Sequence, residues 1–176
     1  SHEVNIMRTA GKIAADGHIS AMKASKPGLR EYHLEASLLY SFRNAGAQSV
    51  AYNSIVASGA NACVLHHRAG NAELKDGDLC LIDAGCELDG YASDITRTFP
   101  VNGKFSGPQR AIYDIVLAAQ EAAIAVTKMG FDFQAPHDAA LKVLTQGLLD
   151  LNLLDKKTIG GLDNALVTKA YQRFYM

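Results

Sequence analysis

The sequence has no basic cluster, no long apolar run and no paired cysteines, and each absence excludes a class of function. Lys and Arg number 17 against 18 Asp and Glu, for a formal net charge of −1. Without a concentrated cationic patch, no nucleic-acid partner is expected. No apolar stretch approaches the length that spans a bilayer, so no membrane partner is expected either. The opening SHEVNIMRTA lacks the apolar core of a signal peptide and an initiator Met, as in a piece of a longer chain. The three cysteines, Cys63, Cys80 and Cys86, are odd in number and lack CxxC spacing. They read as buried free thiols in a reducing, cytoplasmic compartment.

What is present is ordinary in bulk: 176 residues, 48% hydrophobic and 20% charged, enough for one domain with a proper core. Helical and strand signals separate along the chain. From Glu3 to Ser25, residues Ile6, Ala10, Ile13, Gly17 and Ala21 fall on one stripe of a helix that Pro27-Gly28 stops. A second helix is expected over Arg30 to Asn44, with Leu34, Leu38 and Phe42 inward. Strand signals follow at Ser49–Ser58, a short Ala62–Leu65, Asp78–Gly85 and Tyr91–Val101. Ser106 and Pro108 mark the start of a third helix running to Met129, its stripe being Ile112, Ile115, Val116, Ala119, Ala123 and Val126. A fourth, from Pro136 to Leu151, buries Leu141, Leu144 and Leu148. The tail from Leu153 gives weak signals. The order is helix, helix, strands, helix, helix, as if helices one and two and helices three and four opened two copies of one unit.

Chemistry concentrates in LIDAGCELDGYASDITRTFP, residues 81–100. Asp83 follows the apolar run Leu79–Ile82, and Asp94 opens the β-prone run Ile95–Phe99. If Asp89-Gly90 makes a two-residue hairpin turn, Asp83 pairs with Thr96 and Asp94 with Gly85. The two carboxylates then share a face as diagonal neighbours, roughly 5–8 Å apart at Cβ. Two buried carboxylates that close repel and lose hydration, so one takes up a proton unless a cation compensates them. The other possibility is a solvated acidic turn, against which stands the apolar run before Asp83. His66-His67 end the short strand and enter the loop Arg68–Asn71, a usual place for a site. His2, His18, His33 and His137 stand singly and read as surface or core residues.

AYNSIVASG, NACVLHH, DGDLCLIDAGCELDGYASDITRTFPVNGKFS and QRAIYDIVLAAQEAA together resemble the Xaa-Pro aminopeptidases (aminopeptidase P) of the pita-bread metallopeptidases. The spacing from Asp83 to Asp94 is the most specific part. The resemblance implies an α+β pita-bread fold, of which residues 1–176 carry the first α-α-β half and the helices of the second. It implies a partial catalytic domain, lacking the family's N-terminal domain and the C-terminal half. Five side chains hold two divalent ions in this family, usually manganese. Asp83 matches a chelating ligand and Asp94 the bridging one. His66 matches the catalytic, substrate-facing His, and Tyr52 an active-site Tyr that contacts substrate. The implied chemistry is hydrolysis of the bond before proline by a metal-generated hydroxide. Peptides with proline in second position are the implied partners, and relatives form homo-oligomers. The remaining ligands, one His and two Glu, belong to the absent half, so residues 1–176 alone are expected to be inactive. Prolidase, a non-catalytic peptide-binding module and a metal-free creatinase-like hydrolase are the rival readings, the last two disfavoured by Asp83 and Asp94.

Overall fold

The structure, a computed structural model, describes residues 1–175. The chain forms two compact units, Ser1–Phe105 and a second that begins at Ser106.

The first unit opens with α1 (His2–Ala24) and α2 (Glu31–Asn44), close to the expected bounds. Ser1 caps α1 by accepting from the Val4 N–H. Six strands follow: β1 (Ser49–Val50), β2 (Ile55–Ser58), β3 (Leu79–Ala84), β4 (Cys86–Leu88), β5 (Tyr91–Ala92) and β6 (Ile95–Pro100). They form two antiparallel sheets, ordered β1-β4-β5 and β2-β3-β6. Leu34, Leu38 and Phe42 on α2 are fully buried with Ala10, Ile13, Ala14 and Ala21 of α1. Each such Leu contributes about 2 kcal/mol by leaving water. Strand alternation sends Cys80, Ile82 and Ala84 of β3 into this core. Leu79, Leu81 and Asp83 lie on the opposite, half-buried face.

The hairpin register is the expected one: Asp83 pairs with Thr96, and Leu88 with Tyr91 across the turn. Asp89 (φ 49°) and Gly90 (φ 82°) both adopt the left-handed conformation that a type I′ turn requires. The long strands are nevertheless broken. Ladder pairing in the first arm stops at Ala84–Ile95 and resumes in the other sheet at Glu87–Ala92. The cause is a crossing at Gly85, where an added Cβ would lie 1.7 Å from the Ser93 carbonyl oxygen. Asp94 therefore sits in the break and not opposite Gly85 in a ladder. The expected strand Ser49–Ser58 is likewise split into β1 and β2, one in each sheet.

Ala62–Leu65 is not a strand. Gly59–Cys63 is a 3-10 helix followed by a turn, entered through Gly59 at φ 56°. Val64 and Leu65 are exposed, at 55% and 63%. Their apolarity resembles a buried strand in sequence, but among the described residues no strand pairs with them.

The second unit contains α3 (Gly107–Val126), α4 (Ala135–Asp150), α5 (Lys156–Ile159), α6 (Leu162–Val167) and a 3-10 turn at Ala170–Arg173. Ser106 caps α3 by accepting from the Gln109 N–H. The helix stops at Thr127, short of Met129. α3 packs on α4 where Gly147 admits Ile115; a Cβ there would lie 2.5 Å from the Ile115 Cγ2. Of the expected α3 stripe only Ala119 is fully buried, while Ile112 and Val116 are exposed because α4 covers just one side of the helix. Leu148, Leu149, Leu154 and Ala165 form this unit's core, with Leu141 and Leu144 half-buried.

Candidate metal centre

Tyr52, Asn53, Ile55, His66, Arg68, Asp83 and Asp94 line an open cleft of about 420 Å³ in the first unit. Each arrives by a local rule. Asp83 ends the half-buried face of β3, with Ile55 of β2 and Thr96 of β6 as its register partners. Asp94 occupies the break before β6. Tyr52 lies in the bend between β1 and β2, where the Ala51 N–H donates to the Gly85 carbonyl at 2.9 Å.

The Tyr52 hydroxyl joins the two carboxylates. It lies 2.5 Å from Asp83 Oδ1 and 2.8 Å from Asp94 Oδ1. One hydroxyl carries one proton, so it donates to one carboxylate at a time. Burial pushes the Tyr52 phenol well above its ordinary range, and its bonds to Asp83 and Asp94 and their charge push the same way. Tyr52 is therefore a neutral donor at any ordinary pH. The expectation of two buried carboxylates is corrected: Asp83 is half-buried and Asp94 exposed, because Asp83 faces away from the core and Asp94 lies outside the ladder. Water and the phenol share their solvation.

The pair His66-His67 divides. His66 is exposed in the cleft, in a turn after a 3-10 helix and not at a strand end, with φ 55°. A left-handed non-glycine residue costs on the order of 1 kcal/mol and persists where its surroundings hold it. His67 instead turns away to Glu31, its Nε2 2.8 Å from Glu31 Oε2.

Sequence reasoning missed Glu31 and passed over Arg68. A signal for Glu31 was present: it continues the apolar stripe Leu34, Leu38, Phe42, where a carboxylate is rarely found without partners. Its side chain is wholly buried. Burial raises its pKa, but hydrogen bonds from Asn61, His67, Ser58 and Gly70 outweigh that and hold the carboxyl below its ordinary range. Arg68, by contrast, carries no pattern that marks it in sequence.

Of the thiols, Cys63 is exposed, and Cys80 and Cys86 are buried. Burial pushes the Cys80 thiol up to about 12, which makes it inert. Among the described residues no helix is long and apolar enough to cross a membrane.

Residues 5–173 match Metallopeptidase family M24. The chain is 48% identical to a Xaa-Pro aminopeptidase of Haemophilus influenzae, over 99% of this chain and 40% of that protein. It is 43% identical to a Xaa-Pro aminopeptidase of Escherichia coli, over 99% of this chain and 38% of that protein. The solved aminopeptidase PepP of Pseudomonas aeruginosa superposes with a TM-score of 0.96 at 52% identity, covering 100% of this chain and 39% of that one. Zinc-substituted E. coli aminopeptidase P in complex with product gives 0.93 at 43% identity, covering 99% and 39%. The chain thus spans about two-fifths of the length of the relatives it matches. With this sheet order, this cleft and this match along nearly its whole length, the chain belongs to metallopeptidase family M24 and has its pita-bread fold.

Proposed function

We propose that this chain is part of the catalytic domain of a metal-dependent aminopeptidase that releases the first residue from peptides with proline in second position. One observation carries the reading: Asp83 and Asp94 converge on a single hydroxyl oxygen, that of Tyr52, in a cleft that also holds His66. The names of the relatives support the substrate class.

The donor set suits a divalent cation that prefers oxygen, manganese among them. Among the described residues no third His, Cys, Asp or Glu joins the pair. Asp83 and Asp94 therefore fit as two ligands of a larger shell, and in this reading sequence outside residues 1–176 completes a site for two ions. When bound, such ions supply Lewis acidity toward the scissile carbonyl and lower the pKa of a water.

The chain's own residues do the rest. Asp83 and Asp94 hold the cations, and Tyr52 orients the carboxylates through its proton. His66, at the cleft wall, donates a hydrogen bond to the oxygen on which charge develops as the carbonyl is attacked. Proline after the scissile bond has a fixed φ and no N–H, so the cleft need not satisfy a donor there. Alone, with two ligands, the chain is inactive. In this reading the setting is the reducing cytoplasm, where the exposed Cys63 stays a free thiol. Exposed Ile112, Val116 and Ile124 on α3 support self-association, which light scattering checks as a mass above 18.8 kDa.

The test is hydrolysis of an Xaa-Pro peptide by the full-length protein after stripping with a chelator, then with manganese restored. Activity should vanish and return. His66→Ala should lower kcat about 100-fold with metal content unchanged. Cleavage that survives the chelator overturns the reading, and loss of metal with His66 would make it a ligand instead.

A further inference from the structure

Glu31 is the first residue of α2, yet none of its side-chain hydrogen bonds go to that helix. Oε1 accepts from the Ser58 N–H and from Asn61 Nδ2, both at 2.9 Å. Oε2 accepts from His67 Nε2 at 2.8 Å and from the Gly70 N–H at 3.0 Å. A carboxylate facing His67 Nε2 fixes the proton on that nitrogen. One buried charge thus grips both ends of the segment between Ser58 and Gly70.

In the middle of that segment the backbone bonds are local ones, the Val64 N–H donating to the Asn61 carbonyl and the His67 N–H to that of Val64. Val64 and Leu65 are exposed and contribute no core packing. Yet it carries His66, in a left-handed conformation, and Arg68, both lining the cleft. Burying an ionised carboxylate is costly unless every lone pair is used, and here all four bonds are spent on this one segment. Burial of the Leu34 stripe would be served better by an apolar residue at position 31.

We propose that Glu31 is the positioning residue of the catalytic loop: by clamping Ser58, Asn61, His67 and Gly70 it sets where His66 stands against the Asp83–Asp94 pair. The kinetic side of this rests on the function proposed above; the structural side does not.

Glu31→Gln tests it, because the shape is kept while one acceptor becomes an NH2 group. The NH2 takes the Oε2 side, where the His67 ring can change tautomer and accept from it, and there it meets the Gly70 N–H, donor against donor. In the full-length protein, hydrogen exchange at the Gly70 amide should quicken at least about tenfold, roughly one hydrogen bond to a charged group. Exchange in α2 beyond its first turn, where the Tyr32 N–H donates to the Gly70 carbonyl, and manganese affinity should not change. kcat on an Xaa-Pro peptide should fall about tenfold with KM nearly constant. In a His66→Ala background the same change should have little further effect, since Glu31 acts through His66. His67→Phe, which removes one clamp at a partly exposed position, should act in the same direction and carries the test if Glu31→Gln does not fold. Unchanged Gly70 exchange in the folded variant, exchange raised uniformly across the first unit, or losses that multiply with His66→Ala would each overturn the proposal. If the wild type cleaves no Xaa-Pro peptide, the functional reading falls and the exchange result alone decides whether Glu31 clamps the loop.

Discussion

Tyr52 places one neutral hydroxyl where two negative groups converge, and this arrangement separates a built site from an acidic turn. In a solvated turn Asp83 and Asp94 would point apart; here both carboxylates reach the same oxygen. Removing that oxygen leaves two carboxylates without their shared donor. Tyr52→Phe is therefore expected to destabilise the metal-free protein by about 1 kcal/mol at neutral pH, a typical hydrogen-bond contribution. Denaturant unfolding of the two proteins checks it, and an unchanged midpoint would mean that the phenol is not bonded to the pair. At this scale the sequence was partly legible. Asp83 and Asp94 could be singled out by their places in apolar and β-prone runs, and Tyr52 by resemblance. Their joining by the phenol could not, because the bend that carries Tyr52 depends on the Ala51–Gly85 contact between distant segments.

Elements were legible where local rules act alone. The bounds of α1 and α2 follow from stripe and cap signals, and the hairpin register follows from the Asp89-Gly90 turn. What local rules miss is where a strand changes sheet. At Gly85 the backbone passes so close to Ser93 that no side chain fits, and the break this creates frees Asp94 from the ladder. Gly85→Ala should accordingly cost about 3 kcal/mol or more, since the obstructing atom is a backbone carbonyl that cannot rotate away. Thermal unfolding measures this; a variant as stable as the wild type would show that the crossing relaxes.

The clamp on the 58–70 segment has a pH signature. Glu31 is held below its ordinary value of 4.5 in the folded state, its hydrogen bonds outweighing the effect of burial. A lowered folded pKa means that ionised Glu31 contributes stability above the unfolded value, and that this is lost as pH falls through the folded value. Stability followed by circular dichroism should decline below about pH 4.5, with Glu31→Gln removing that part of the decline. An identical acid limb in both proteins would contradict the bonding seen at Glu31.

Taken whole, the chain brings together two carboxylates, a phenol and a histidine within a fold shared over about two-fifths of its relatives' length. The central claim is that Asp83 and Asp94 are metal ligands. Manganese titration of the isolated chain by calorimetry, run beside Asp83→Asn, Asp94→Asn and the turn variant Asp89→Asn, tests it most directly. Asp89 bonds Gln48 at the hairpin tip, so it controls for stray acidity. Two ligands without the rest of a shell should bind weakly, and that weak binding should disappear in both Asp83→Asn and Asp94→Asn while Asp89→Asn retains it. Binding that survives loss of either Asp83 or Asp94, or that falls equally with Asp89, would contradict the assignment of the cleft as a metal centre.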